Sequence, residues 1–143
     1  MNHLVDILDQ KGRDVLRIDA GASVLDAVRQ MVDHNVGSLL VEDEGKISAI
    51  VTERDYLRYV ALDGPPDHEI AVREIASAPL IVADPEMTVD ECMALMTERR
   101  IRHLPVSAGD EIVGMISIGD VVKYQLERHQ SEVKYLNEYI TAR

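Results

Sequence analysis

Apolar and polar residues follow one scheme along the chain, and that scheme occurs twice. Residues 19–59 recur without a gap as residues 84–124, so that equivalent positions stand 65 apart throughout. A repeat of this kind determines the organisation of the whole fold. Two copies are too few for a solenoid. We therefore predict two half-modules that close on each other around a pseudo-twofold axis.

Each copy predicts a strand, a helix, two strands and a second helix. A short apolar run forms the first strand, at residues 15–18 and again at 80–82. Ser23 and Thr88 are each followed three residues later by an acid, a capping box that starts a helix, and apolar residues at i, i+3, i+4 and i+7 continue it. Two apolar runs around a polar turn predict an antiparallel strand pair. The expected fold is α+β, with two βαββα repeats.

The boundaries between these parts follow from breaker residues. Residues 63–67 read Asp-Gly-Pro-Pro-Asp, a run that interrupts regular structure. We assign residues 1–62 to the first repeat, 68–127 to the second, and 128–143 to a C-terminal helical extension.

The extension is predicted to be helical almost to its end, because no glycine or proline follows Val121. One apolar stripe runs along it, formed by Val133, Leu136, Tyr139 and Ile140. This stripe and the outer helices of the module need burial, and a symmetric dimer is the commonest way to provide it. We therefore expect a homodimer.

Composition and charge exclude several classes of function. The 143 residues carry a formal net charge of −11, which opposes binding to nucleic acids and to anionic membranes. Five Tyr but no Phe or Trp are present, so stacking platforms for single-stranded nucleic acids are lacking. The only cysteine, Cys92, rules out an intrachain disulfide, and neither a signal peptide nor a membrane span is indicated. We expect a cytoplasmic protein.

The candidate chemistry lies where the second helix of each copy begins. Thr52 is followed three residues later by Asp55, and Ser117 by Asp120. One interpretation is a further pair of capping boxes. The other is a nucleotide site, because a helix N-terminus binds phosphate and a nearby carboxylate accepts the hydroxyls of a ribose. The spacing alone leaves both interpretations open.

The densest basic cluster of this acidic chain occupies residues 99–103. Its first two arginines fit a solvated helix end, where cations complement the helix dipole. Arg102 and His103 enter the next strand and are candidates for contact with a phosphate. Copy one has Gly37 and Ser38 at the equivalent positions, so the two half-sites are expected to bind phosphate unequally.

These motifs resemble the CBS domain, named after cystathionine β-synthase, and two copies in tandem resemble the Bateman module. The resemblance rests on residues 52–55, 101–106 and 113–120, and residues 5–7 and 72–75 are similar to the family's lead-in segments. It implies a non-catalytic regulatory module that binds AMP, ADP, ATP or a related adenosyl ligand in the cleft between the copies. No covalently held cofactor is implied, and a regulated enzyme or transporter is an expected partner.

The resemblance also implies roles for individual residues. They are ribose binding for Asp55 and Asp120, ribose or phosphate binding for Thr52 and Ser117, phosphate binding for Arg102 and His103, and contact with adenine for Leu16, Ile18, Ile81 and Ala83. One departure from the family concerns Ala49, where a glycine is common, as at Gly114. The methyl group of Ala49 is expected to crowd a ligand at the half-site of copy one.

Two other classes of function remain open. A dimeric interaction module with an empty cleft would keep the fold and use the hydroxyl–acid pairs only as helix caps. An enzyme, for instance a nucleotide hydrolase, is disfavoured because the sequence shows no phosphate loop, nucleophile motif or metal-ligand spacing. We predict no catalytic and no metal-binding residues.

Overall fold

The computed structural model describes residues 2–63 and 70–141, with the backbone alone at residues 63 and 139–141. In chain order the elements are α1 (Leu4–Lys11), β1 (Arg17–Asp19), α2 (Val24–His34), β2 (Ser38–Asp43), β3 (Lys46–Thr52), α3 (Glu53–Asp63), a 3-10 helix (Val72–Glu74), α4 (Val89–Arg99), β4 (His103–Ala108), β5 (Glu111–Ser117) and α5 (Ile118–Thr141). The predicted α+β class is confirmed. Asp63, the first residue of the predicted breaker run, ends α3, and residues 64–67 lie outside the described residues.

The secondary structure confirms the repeat. The bounds of α2, β2 and β3 reappear 65 positions later in α4, β4 and β5. Both hairpins carry an irregularity in register at equivalent places, after Val41 and after Val106. Both α2 and α4 end at a residue in the left-handed conformation, Asn35 with φ 53° and Arg100 with φ 55°. Equivalent sequences therefore adopt equivalent backbones even at irregular positions.

Ser23 caps the start of α2 and Thr88 the start of α4, where the full reciprocal capping box forms. The hydroxyl of Ser23 accepts a hydrogen bond from the backbone N–H of Asp26 at 3.0 Å. The hydroxyl of Thr88 accepts from the N–H of Glu91 at 3.1 Å, and the Glu91 carboxylate accepts from the N–H of Thr88 at 3.4 Å. These bonds satisfy N–H groups that a helix start leaves without partners.

The first strand of the second repeat differs from the prediction for residues 80–82. In the first repeat β1 pairs in parallel with β2, and Ile18 stands opposite Val41. The equivalent residues of the second repeat, Ala83 and Val106, form only an isolated parallel bridge. The register of the pairing is conserved between the repeats, but its length is not.

Pro105 explains the shorter pairing. It stands at the position of Leu40, whose N–H donates to the carbonyl of Leu16 at 3.0 Å in the first repeat. Proline has no N–H to donate, so the second repeat lacks the hydrogen bond that extends the strand pair toward the N-terminus.

The chain folds into two compact units whose boundaries differ from those of the sequence repeats. The first unit is Val15–Ile81, and the second joins Met1–Asp14 to Val82–Arg143. Each unit thus contains the body of one repeat and the lead-in segment that precedes the other repeat in the chain.

Backbone hydrogen bonds hold each lead-in segment in an equivalent place. In the first unit the N–H of Val72 donates to the carbonyl of Ala22 at 2.8 Å, and in the second the N–H of Leu4 donates to the carbonyl of Met87 at 2.9 Å. Ala22 and Met87 are equivalent positions of the repeat. Val72 and Leu4 are both 0 % exposed, so each lead-in segment contributes to the core of its unit.

Aliphatic side chains build both cores. The cluster of the first unit consists of Ile18, Ala20, Ala27, Met31, Leu39, Val41, Ala49, Val51 and Val72. The buried side chains of the second unit include Leu4, Leu8, Val89, Cys92, Met96, Leu104, Val106, Ile116 and Val121. Burial raises the pKa of the Cys92 thiol to about 11, so this cysteine is a core residue and stays protonated at neutral pH.

The last helix is continuous across the predicted start of the C-terminal extension. It runs over 24 residues as α5, and every residue from 126 to 138 is exposed. The second half of α5 is therefore an exposed helix that continues from the core of the second unit. In the part of the chain that the structure describes, neither α5 nor any other helix is long and apolar enough to cross a membrane.

Candidate functional site

The hydroxyl–acid motif of the first unit lies where β3 leads into α3. Asp55 Oδ2 accepts the backbone N–H of Thr52 at 2.9 Å, and the N–H of Asp55 donates to Thr52 Oγ1 at 3.3 Å. The capping-box interpretation is therefore correct here. Asp55 Oδ1 accepts the hydroxyl of Ser77, in the lead-in segment, at 2.9 Å. Asp55 is only 6 % exposed, so this carboxylate is buried with both oxygens bonded.

The equivalent motif of the second unit, between β5 and α5, has a different third partner. Asp120 Oδ2 accepts the N–H of Ser117 at 2.8 Å, and the N–H of Asp120 donates to Ser117 Oγ at 3.1 Å. The same Oδ2 also accepts Lys11 Nζ at 2.6 Å, and that ammonium donates to the carbonyl of Met115 at 2.7 Å. A cation from α1 thus occupies this junction, and the Asp120 side chain remains 22 % exposed.

The charge state of Asp120 follows from these contacts. Burial by itself raises the pKa of this carboxyl, but the hydrogen bonds from Lys11 and Ser117 and the charge of Lys11 outweigh burial and lower the pKa below its ordinary value. Asp120 therefore stays ionised at neutral pH. An ionised carboxylate only accepts hydrogen bonds, which suits it to bind hydroxyl groups.

Strand pairing brings the predicted basic residues to the same place. His103 stands opposite Ser117 in the pairing of β4 with β5. The carbonyl of Arg102 accepts the N–H of Ile118, the first residue of α5, at 2.8 Å, and the residue as a whole is exposed. The second unit therefore brings Arg102 and His103 next to the hydroxyl–acid pair.

The first unit has no basic residue at these two positions. Ser38 stands opposite Thr52 and is 8 % exposed. The carbonyl of Gly37 accepts the N–H of Glu53 at 3.1 Å, as Arg102 does in the second unit. The two junctions thus share a backbone arrangement and differ in charge.

The four residues expected to contact adenine are distributed between the units. Leu16, Ile18 and Ile81 belong to the first unit and Ala83 to the second. Ile18 is 7 % exposed within the core cluster, and Ala83 is 2 % exposed with its N–H and carbonyl both paired to β4. These two side chains do not face an open surface, whereas Leu16 and Ile81 are partly exposed and the neighbouring Val82 is 42 % exposed.

Sequence reasoning missed Lys11 and Ser77, the third partners of the two carboxylates. Lys11 is 109 positions from Asp120, and Ser77 is 22 positions from Asp55. No motif connects residues at such distances. The one signal in the sequence was that residues 5–7 and 72–75 resemble the family's lead-in segments. Such segments are expected to pack against the body of a repeat and to bring their side chains near its helix starts.

The glycine at position 114 has a structural cause. A Cβ atom on Gly114 would lie 2.5 Å from Leu8 Cδ2, in α1. In the first unit the equivalent residue is Ala49, and the equivalent lead-in residue, Ala76, packs against the core cluster that contains it. A Gly–Leu pair in one unit thus replaces an Ala–Ala pair in the other. The methyl group of Ala49 packs in the core cluster, and its effect on a ligand stays a prediction.

A groove opens beside Asp55 in the first unit. Its volume is about 540 Å³, within the range of about 300–1,000 Å³ that is typical of small-molecule sites. The described residues that line it are Asp55, Arg58, Tyr59, Leu62, Ile70, Glu74 and Ile75. Across residues 2–63 and 70–141, no group of three or more His, Cys, Asp or Glu residues could hold a metal ion.

Comparison with known families agrees with this arrangement. A family profile described as "CBS domain" matches residues 6–62 and 72–127. The chain belongs to the CBS-domain family. Its two CBS domains in tandem form a pair of the Bateman type, and the resemblance of the motifs is thereby confirmed.

Three relatives illustrate the kinship. This CBS pair is 39 % identical to the mitochondrial CBS domain-containing protein CBSX3 of Arabidopsis thaliana, over 94 % of this chain and 70 % of that protein. The crystal structure of a CBS-domain containing protein from Agrobacterium tumefaciens has a TM-score of 0.83 at 35 % identity, covering 86 % of this chain and 92 % of that one. A CBS domain protein from Pyrobaculum aerophilum, solved in complex with AMP, has a TM-score of 0.72 at 25 % identity, covering 82 % and 88 %.

Proposed function

We propose that this CBS pair is a non-catalytic regulatory module that binds an adenine nucleotide, AMP, ADP or ATP, at the strand–helix junctions of its repeats. It acts as a homodimer in the cytoplasm and relays the presence of the nucleotide to a regulated enzyme or transporter. The observation that carries the proposal is the junction of the second unit, where an ionised Asp120 stands at a helix start bonded to the ammonium of Lys11, with His103 opposite Ser117 in the adjacent strand. The AMP complex of the Pyrobaculum relative supports it.

The ribose is held by Asp120 in this proposal. The bonds from Ser117 and Lys11 both fall on Oδ2, so among the described residues Oδ1 is left to accept the ribose hydroxyls. Acids in dinucleotide sites bind ribose in the same way. The partial exposure of the Asp120 side chain gives a ligand access to it.

The phosphate is attracted by positive charge gathered at the same junction. Lys11 brings an ammonium within 2.6 Å of Asp120, and Arg102 lies where β4 begins. The first turn of α5 adds backbone N–H groups and the positive end of a helix dipole. In a chain with a net charge of −11, a local group of cations decides where an anionic ligand binds.

The first unit is proposed as the weaker half of the site. The Asp55 carboxylate is buried and already accepts hydrogen bonds from Thr52 and Ser77. A ribose would have to displace the hydroxyl of Ser77. Among the described residues that line the groove beside Asp55, Arg58 is the cation that could meet a phosphate.

Thermal unfolding with and without nucleotide tests this proposal. A ligand that binds only the folded state at a hundred times its Kd adds about 2.7 kcal/mol to the free energy of unfolding. We expect AMP, ADP or ATP to raise Tm and Asp120→Asn to remove most of that rise. The Tm of the variant without nucleotide is the control for its own stability. Failure of all three nucleotides to raise Tm would contradict the proposal.

A second candidate function is a protein-interaction module that binds no nucleotide. The observation that favours it is that both hydroxyl–acid pairs form capping boxes and both carboxylates already have a third partner, Ser77 or Lys11. Under this alternative Asp120→Ala, added to the same series, costs about 1 kcal/mol, as loss of a capping side chain does, and the cost is the same with and without nucleotide. The Tm series separates the two functions.

A further inference from the structure

The exposed part of α5 carries a heptad pattern that the nucleotide site does not use. Its positions alternate in spacing between four and three residues. They are Val122, Leu126, His129, Val133 and Leu136, with Ile140 next in the sequence. Val122, Leu126, Val133 and Leu136 are 49, 56, 42 and 56 % exposed. Such a 4–3 spacing is the signature of the a and d positions of a coiled coil.

This face of α5 is distinct from the face that packs on the second unit. Val121 is 0 % exposed, and the hydroxyl of Tyr124 donates to Asn2 Oδ1 at 3.1 Å. The heptad positions begin at Val122, about 100° around the helix from Val121, and continue beyond the last residue that the unit covers. Within the described ranges the unit leaves these apolar side chains exposed.

We propose that this face pairs with the same helix of a second copy of this chain, as a parallel two-stranded coiled coil. The 4–3 spacing fits another helix that has the same repeat. A second copy supplies that helix, and a twofold axis makes the contact self-complementary.

Charge along the helix permits this pairing despite the acidic chain. Between residues 121 and 138 the cations are Lys123, Arg128 and Lys134, and the acids are Glu127, Glu132 and Glu138. The helix is therefore neutral over this stretch, although the whole chain carries −11. We call the contact formed by the heptad positions of the two helices the seam. Net charge does not repel two copies along this seam.

The residues that flank the seam favour the parallel orientation. In a parallel pair each g position faces the e position five residues later on the partner. Glu132 then faces Asn137, and the other g position, Gln125, carries no charge and donates to Asp90 Oδ1 of its own unit at 3.5 Å, so like charges do not meet. An antiparallel pair centred on the same seam would place Glu132 beside its own counterpart. Parallel pairing also places the two His129 side chains in one layer, and a single polar layer fixes register.

The coiled coil is short, at fewer than three heptads. Isolated helices of this length are marginal in water because nucleation is costly. Here α5 begins within a folded unit, so its first turns are already formed. Association therefore needs only to bury the seam, and we expect a weak, concentration-dependent dimer.

The inference rests on the homodimer of the proposed function and names its interface, and sedimentation of the full chain without nucleotide tests it separately from nucleotide binding. Leu136→Glu places a charge in the seam and is expected to give monomers at concentrations where the wild type dimerises. Ser131→Glu adds the same charge outside the seam and is expected to leave the dimer intact. His129→Leu removes the polar layer and is expected to tighten the dimer by about tenfold or more.

Orientation is tested with His129→Cys. In a parallel pair the two new thiols share a layer, and we expect an interchain disulfide in high yield under mild oxidation, while the buried native Cys92 does not react. A wild type that stays monomeric, a dimer that survives Leu136→Glu, or the absence of the disulfide would overturn the proposal.

Discussion

The strand–helix junctions of the two units have the same capping box and different surroundings. Asp55 is buried and bonded to the neutral hydroxyl of Ser77, whereas Asp120 is partly exposed and paired with the ammonium of Lys11. Both third partners come from a lead-in segment that belongs, by sequence, to the other repeat. The lead-in segments therefore decide how the two copies of one motif differ in charge and access.

This difference separates two roles of one residue type. Each acid satisfies a backbone N–H at its helix start, which is a local requirement that any helix start shares. Only Asp120 combines that role with exposure and a neighbouring cation. Duplication thus preserved the cap, and the contacts from elsewhere in the chain made one copy more suitable for an anionic ligand.

The largest expected effect concerns the packing of the lead-in helix. Leu8→Ala is expected to cost about 2–5 kcal/mol in the free energy of unfolding, as loss of a buried leucine does, and Gly114→Ala about 1–3 kcal/mol through overpacking. The double variant reproduces the Ala–Ala pair of the first unit, so it should cost less than the sum of the single variants. Urea unfolding of all four chains measures this coupling.

Strict additivity of the two costs would show that Gly114 and Leu8 are not a compensating pair. A matched control is Leu8→Ala combined with Ser131→Ala on the exposed part of α5, for which additivity is expected because the sites share no contacts.

The next largest effect is expected from Ser77, the neutral partner of the buried Asp55. Ser77→Ala removes the hydroxyl that donates to Asp55 Oδ1, and loss of a hydrogen bond to a charged group is expected to cost about 1.5–3 kcal/mol. Ser131→Ala on α5 is the control, because that exposed hydroxyl donates only to a carbonyl of its own helix, at Glu127, and its loss should change stability by less than about 0.5 kcal/mol. Equal costs for the two variants would mean that Ser77 does not stabilise the Asp55 junction.

The smallest expected effect is a pH dependence of stability that arises from Asp120. The lowered pKa of Asp120 stabilises the fold above the ordinary carboxyl value of about 3.9, and this contribution is lost as pH falls through the lowered pKa. Lys11→Met should therefore be less stable than wild type at pH 7, with the difference shrinking below about pH 4. Urea unfolding at several pH values measures it.

Arg13→Met is the control for that pH series. Arg13 pairs with Asp9 at 2.6 Å, but both side chains are about half exposed, at 48 and 61 %, and exposed pairs contribute little. A Lys11→Met deficit that persists unchanged at pH 3 would mean that Lys11 acts through packing and not through the charge of Asp120.

The sequence predicted what depends on neighbouring residues. The repeat, the helix starts at Ser23 and Thr88 and the helical character of the chain after Asp120 follow from short-range patterns, and the structure has all of them. The sequence could also have predicted that the first strand of the second repeat is shortened, because Pro105 has no N–H to donate in any fold. The burial of Ile18 and Ala83 could not be predicted, since alternation along a three-residue strand does not show which face of the strand is covered.

Sequence patterns could not predict that each lead-in segment packs on the body of the other repeat. Lys11 at the end of α1 reads as a cation that complements a helix dipole, and its contact with Asp120 exists only because α1 packs on the body of the other repeat. Tertiary placement thus supplied the cation that distinguishes the two junctions.

Calorimetric titration of the full chain with AMP tests the central claim most directly, with Asp120→Asn and Asp55→Asn as a matched pair. Both substitutions remove one negative charge at equivalent helix starts, so any general effect of charge or capping is shared. The account predicts that Asp120→Asn weakens AMP binding far more than Asp55→Asn. An equal loss in both variants, or AMP binding unchanged by Asp120→Asn, would contradict it.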